Sequence, residues 1–111
     1  MPPEIIDARS FRELCESAGA DFARELIDTF AEEAPGLVSQ MRSAIISGDA
    51  DAFRRAAHSL KSNALAFGAL RLAQRARELE QGDLPADAVG TGQFAAELDE
   101  AVHALKVLGR D

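Results

Sequence analysis

Five residues in the middle of the chain, Phe53, Ala57, Leu60, Ala64 and Phe67, are spaced by four, three, four and three positions. At about 100° per residue they fall within a sector about 80° wide on a helix, whereas on a strand they would divide between both faces. A stripe of this kind is buried only against other apolar stripes, and the chain supplies them. Phe22, Leu26, Phe30, Leu37, Met41 and Ile45 recur at helical spacing, with Ala34 between and Ile27 and Val38 alongside. Phe94, Leu98, Ala101, Leu105 and Leu108 repeat the pattern, and Leu72, Ala76 and Leu79 form a shorter one. Valine and isoleucine are few and never alternate with polar residues, so no sheet is predicted.

The punctuation sets the boundaries. A short first helix is predicted over Asp7 to Ser17, with Ile6, Phe11 and Leu14 as its apolar contacts. Ala18-Gly19-Ala20-Asp21 ends it, and Asp21 is a suitable N-cap for a long second helix, Phe22 to Ser47. Pro35 lies inside that helix and predicts a kink or a break, because proline lacks the amide donor and crowds the preceding turn. Gly48 and Asp49 form a C-cap followed by an N-cap, so the chain reverses tightly into a third helix, Ala50 to Phe67. Gly68 separates it from a fourth, Ala69 to Gln81; Gly82 to Pro85 opens a loop to Gly90, and a last helix covers Thr91 to Leu108. Amphipathic helices on short connections predict an all-α fold. It is an antiparallel four-helix bundle with a short additional N-terminal helix, forming one domain over residues 1–111.

Composition narrows the function. The net charge of −7 opposes non-specific nucleic-acid binding. Cys15 is the only cysteine, which excludes an intrachain disulfide and a multi-cysteine metal site. Neither a secretion signal nor an apolar stretch of membrane-spanning length is present in the sequence, so a soluble, cytoplasmic monomer without a membrane partner is expected. The charge is unevenly spread. Residues 52–77 carry six basic side chains (Arg54, Arg55, Lys61, Arg71, Arg75 and Arg77) and no acidic one, which suits an anionic ligand or an acidic partner.

His58 stands in that segment. It lies about 140° from the centre of the apolar stripe, facing solvent, with Lys61 about 60° from it around the helix. A neutral imidazole near pH 7 offers one nitrogen for attack on a phosphoryl group while the other keeps its proton. Lys61, its amine expected to project into solvent, can pair with phosphoryl oxygens, and the Ser62 hydroxyl can bond to them. Arg54 and Leu65 share the histidine's side of the helix and are candidate docking residues. His103 is the contrasting case: it also faces solvent, but it has Asp99 four residues before it and no basic neighbour in its turn, as an ordinary surface histidine does. Neither a glycine-rich nucleotide loop nor a catalytic triad can be assembled. The machinery that activates a phosphodonor is therefore expected on a partner.

His58-x-x-Lys61-Ser62-x-Ala64-x-x-Phe67-Gly68 resembles the signature of histidine-containing phosphotransfer (HPt) domains, in which His-x-x-Lys-Gly/Ser precedes a small residue, an aromatic or aliphatic residue and glycine. Phe30-Ala31-Glu32-Glu33-Ala34-Pro35 is similar to the phenylalanine, acidic pair and proline of the family's preceding helix. The Gly48-Asp49 turn and Leu70 to Leu79 also fit, extending the likeness over residues 20–108. Ser62 departs mildly, standing where many members have glycine.

The resemblance implies a relay of phosphoryl groups between receiver-domain aspartates through a phosphohistidine, in a bacterial-type two-component system. His58 is then the phosphoacceptor, Lys61 the charge-stabilising neighbour and Ser62 a neighbour of the phosphoryl group. Arg54, Leu65 and Gly68 are expected on the partner side, with Gly68 also permitting the close turn between helices. The partners implied are response-regulator receiver domains, including that of a hybrid histidine kinase. The chain itself needs no cofactor or metal, the Mg²⁺ belonging to the receiver, and it is a carrier and not an autonomous ATP-dependent kinase. Two alternatives remain: the histidine-bearing domain of a larger sensor or chemotaxis-type kinase, and a non-catalytic helical adaptor that has no use for the His58–Lys61 pair.

Overall fold

The structure, a computed structural model, describes residues 6–85 and 89–110. It contains five helices: α1 (Ala8–Ala18), α2 (Ala20–Ser47), α3 (Ala50–Ala66), α4 (Leu70–Gln81) and α5 (Val89–Arg110). No strand occurs among the described residues, and none of the helices is long and apolar enough to cross a membrane. Residues 86–88, within the expected loop before α5, lie outside the described residues, and α5 begins two residues earlier than predicted.

Asp7 caps α1, its carboxylate accepting from the Ser10 amide at 3.3 Å and from the Ser10 hydroxyl at 2.6 Å. The α1–α2 junction is tighter than expected. Gly19, at φ +89°, alone separates the two helices. Asp21 is therefore not the N-cap; it sits inside the first turn of α2, beside Arg24.

α2 has 28 residues, a length of about 42 Å at 1.5 Å per residue, and the molecule's longest dimension is 42 Å. Pro35 does not break it. Proline and the following Gly36 are both exposed, so the carbonyl deprived of its donor is on the side where water can serve it. The apolar stripe of α2 is also corrected. Phe22 is 51% exposed, and the buried line is Ala23, Ile27, Phe30, Ala34, Val38, Met41 and Ala44, with Leu26, Leu37 and Ile45 only partly covered. The helix packs on α1, α3 and α5, and three neighbours require a wider apolar arc than one row of residues provides.

Gly48 adopts the left-handed conformation (φ +74°), and Asp49 caps α3 by accepting from the Ala52 amide at 3.0 Å. The four stripe residues within α3 and Phe67, its C-cap, are all buried, and Phe67 stacks on Phe30 with ring centroids 5.3 Å apart. The core continues through Leu72, Ala73 and Ala76 of α4 and Phe94, Leu98, Ala101 and Leu105 of α5, whereas Leu79 and Leu108 are partly covered. In the resulting ring α2 lies between α3 and α5, and α4 closes it by packing against both. Arg75 of α4 pairs with Glu97 of α5 at 3.0 Å. Alanines supply much of the interface of α3 and α4, and small side chains let these two axes come close.

α1 covers the end of the bundle where α3 turns into α4. The Asp7 amide donates to the Gly68 carbonyl at 2.7 Å. Gly68, at φ +77°, lies against Ser10, where an added Cβ would stand 2.8 Å from the Ser10 Cβ.

Candidate functional site

His58 sits midway along α3, exposed on the side away from the core. Its Nδ1 is 2.7 Å from Oε1 of Glu80, a residue near the C-terminal end of α4. The Lys61 ammonium donates to Oε2 of the same carboxylate at 2.6 Å. The sequence reading missed Glu80, which bridges the two side chains it had singled out.

The register of the α3–α4 hairpin explains the meeting. Residues 58 and 80 are equidistant from Ala69, which lies in the turn, and in an antiparallel pair of helices residues symmetric about the turn come opposite one another. The 59% exposure of the His58 side chain contrasts with 22% for Lys61 and 21% for Glu80. Lys61 therefore does not project into solvent as expected: its stem lies along the bundle and its ammonium is held by Glu80.

The electrostatics follow from this bridge. The Glu80 carboxyl is held below the ordinary glutamate range, first by the Lys61 hydrogen bond and then by that of His58, against a smaller opposing effect of desolvation. An ionised carboxylate only accepts hydrogen bonds, so a neutral His58 ring facing it carries its proton on Nδ1. Nε2 is then left with a free lone pair.

On the other flank of His58 an open groove runs between α2 and α3, lined by Glu32, Glu33, Gly36 and Leu37 on one side and Ser59, Ser62 and Asn63 on the other. Ser62 is exposed beside the histidine, and Leu65 is 52% exposed on the same side of α3. Arg54 is exposed but folded back along its own helix, 3.7 Å from Asp51 and donating to the Ala50 carbonyl at 3.4 Å. Gly68, expected among the partner-facing residues, is buried under α1; what it supplies is the turn.

The basic block also reads differently in three dimensions. Lys61, Arg54 and Arg75 pair with Glu80, Asp51 and Glu97, all from outside residues 52–77. His103 is exposed on α5, and no group of three or more metal-ligating side chains forms among the described residues.

The family model described as "Hpt domain" matches residues 25–106. The fold resembles the crystal structure of histidine-containing phosphotransfer protein B (HptB) from Pseudomonas aeruginosa PAO1, with a TM-score of 0.74, 24% identity, and coverage of 99% of this chain and 94% of that one. No curated protein matches. With most of its length matched by the family model, this bundle belongs to the Hpt domain family, the phosphohistidine carriers of bacterial two-component relays, which receive and pass on phosphoryl groups and are not independent kinases.

Proposed function

We propose that His58 is the phosphoacceptor and that its Nε2 exchanges a phosphoryl group with receiver-domain aspartates. The observation that carries this reading is the contact between Nδ1 and Glu80 on an otherwise exposed ring. In loading, the Nε2 lone pair attacks phosphorus of the receiver's aspartyl phosphate. The P–N bond forms as the bond from phosphorus to the acyl oxygen breaks, and the aspartate leaves as a carboxylate.

The imidazole becomes cationic in this step because Nδ1 keeps its proton, and the Glu80 carboxylate, 2.7 Å away, stabilises that charge. Unloading reverses the sequence: a second receiver's carboxylate attacks phosphorus, and the bonding pair returns to Nε2. A protonated ring is the better leaving group, so the same carboxylate assists both directions.

Lys61 supplies positive charge next to the phosphoryl position, where charge-assisted contacts to its oxygens are strongest, and Ser62 adds a hydroxyl on the groove side. The transition state for phosphoryl transfer is loose, so positioning and charge compensation are what such a site must contribute. The Mg²⁺ that assists the aspartate's chemistry belongs to the receiver. The partners are response-regulator receiver domains, including that of a hybrid histidine kinase, with Leu65 and Arg54 at the contact.

The test is incubation with a phosphorylated, Mg²⁺-loaded receiver, followed by detection of acid-labile phosphate on the protein. Wild type and His103→Gln accept the label and His58→Gln does not, although it folds normally. Label retained by His58→Gln refutes the assignment.

A further inference from the structure

We propose that Gly19 is a joint at which the chain opens, α1 and α2 running on as one helix over residues 8–47, and that a second copy of this chain supplies the α1 that covers the vacated bundle end. The partner is the protein itself, in a closed two-fold dimer that exchanges first helices. The inference is independent of the chemistry of His58 and goes beyond it.

The joint is a single residue. Gly19 alone separates Ala18 from Ala20, at φ +89° and ψ +146°, a conformation that is essentially reserved for glycine. Nothing lies within 4 Å of the Cβ it lacks, so its backbone angles, and not packing, require glycine there. The ladder already reaches the joint from both sides. The Gly19 amide donates to the Cys15 carbonyl at 2.9 Å, and the Ala23 amide donates to the Gly19 carbonyl at 3.0 Å. Both are the i→i−4 bonds of a continuous helix.

Rotation at Gly19 alone brings the amides of Ala20, Asp21 and Phe22 onto the carbonyls of Glu16, Ser17 and Ala18, which completes that ladder. The start of α2 has no side-chain cap to lose in the process. Alanine flanks the glycine on both sides, and no proline occurs between residues 8 and 34, so nothing else in this stretch interrupts a helix.

Opening uncovers two surfaces that already fit each other. One is the inner face of α1, with Phe11 buried and Leu14 and Cys15 partly buried in the closed chain. The other is the bundle end at the α3–α4 turn, where the Gly68 carbonyl accepts from the Asp7 amide at 2.7 Å. Left in water, both lose the burial that holds the closed form. A second open copy restores it. The eleven residues of α1 then project about 16 Å past their own bundle, enough to lie over the turn of a facing copy. Each α1 meets there the surface it meets in its own chain, and two-fold symmetry satisfies both copies. Arg9 and Arg12 balance Glu13 and Glu16 on α1, so the exchanged element brings no net charge to the contact. What opposes the exchange is the entropy of association, and glycine favours the monomer because it suits the bend and weakens a helix.

The experiment is sedimentation of the full chain over a concentration series. Gly19→Ala strains the bend and favours the helix in both copies, so it is expected to strengthen dimerisation by roughly a hundredfold or more over the wild type. Its far-UV circular dichroism gains helix, and its thermal midpoint rises with protein concentration. Inserting Gly-Ser-Gly-Ser after position 19 of the Gly19→Ala chain lets α1 fold back on its own bundle, and the protein returns to monomer at the same concentration. Phe11→Asp in the Gly19→Ala chain abolishes the dimer as well, because it puts a charge on the exchanged face.

A Gly19→Ala chain that stays as monomeric as the wild type overturns the proposal, as does one that forms larger aggregates without a discrete dimer. A dimer that survives the insertion also overturns it, since an interface between two closed copies is indifferent to the length of the joint.

Discussion

Gly68→Ala tests how α1 is attached to the bundle, and its cost can be built up from the geometry. Gly48→Ala is the reference, because both glycines are left-handed, at φ +77° and +74°, but nothing lies within 4 Å of a Cβ at Gly48. An L-residue in that conformation costs about 1–2 kcal/mol, which is the whole expected effect at Gly48. At Gly68 the new methyl would stand 2.8 Å from the Ser10 Cβ and 3.0 Å from the Asp7 carbonyl oxygen. Both atoms belong to the start of α1, and relief means moving that turn outward. The movement gives up the 2.7 Å bond from the Asp7 amide to the Gly68 carbonyl, worth about 1 kcal/mol. It also loosens Ile6 and Phe11, 7% and 9% exposed, each worth about 1.5–3 kcal/mol when fully buried.

Losing a modest part of that burial brings the total for Gly68→Ala to about 3–5 kcal/mol, against about 1–2 for Gly48→Ala. Urea unfolding followed by far-UV circular dichroism measures both. Ser10→Gly in the Gly68→Ala background removes the closest contact but leaves the Asp7 oxygen, so a coupling of about 1 kcal/mol is expected in the double-mutant cycle. A Gly68→Ala cost within about 0.5 kcal/mol of that of Gly48→Ala, with no coupling to Ser10, refutes the packing of α1 over the turn. His58 should still accept phosphate in folded Gly68→Ala, because the added methyl is directed at α1 and not at a partner.

Leu60 is fully buried, and Leu60→Ala should cost about 2–5 kcal/mol in the same assay; a loss below about 1 kcal/mol means that its side chain is not in the core. Leu65→Asp should weaken receiver binding in a titration while leaving thermal unfolding unchanged, since Leu65 is 52% exposed; unaltered binding removes it from the interface. Glu80→Gln should slow phosphoryl uptake by relaxing control of the His58 tautomer and ring charge. Because the Glu80 pKa is lowered in the fold, its stabilisation is present above the unfolded glutamate pKa and is lost as pH falls through the folded one. The stability gap between wild type and Glu80→Gln should therefore persist at neutral pH and close on acidification, and a gap that widens in acid contradicts the bridge.

Much of the fold was legible because local signals agreed with one another. The α3 stripe, the Gly48–Asp49 reversal and the helix-forming composition all specify the same hairpin, and the observed α3 and its caps match that expectation. The misreadings fall where tertiary surroundings decide. Phe22 has the right spacing for the core, yet near the start of α2 the inward position belongs to Ala23, and Phe22 is left half exposed. Pro35 carries a strong breaking signal, but helix packing on both sides of it and water access to the freed carbonyl outweigh one missing hydrogen bond. Asp21 is a good cap residue by type, but Gly19 makes the turn two residues earlier.

The candidate site was legible only along its own helix. His58, Lys61, Ser62 and Leu65 share one face through helical spacing, which sequence displays directly. Glu80 acts across a hairpin, and its signal is register: it stands as far beyond Ala69 as His58 stands before it. That symmetry becomes usable once the turn is located, whereas composition alone pointed the other way. A segment with six bases and no acid reads as an anion-binding surface, but three of those bases are matched by carboxylates from neighbouring chain segments. Lys61 is one of these three, held next to the histidine by the same carboxylate that contacts the ring. On the phosphoacceptor reading, an ammonium tethered beside one imidazole suits a group delivered to that ring, whereas a broad basic patch would attract any polyanion. The net acidity of the chain then does not oppose transfer on that reading, because the ammonium needed there is held beside the reacting ring.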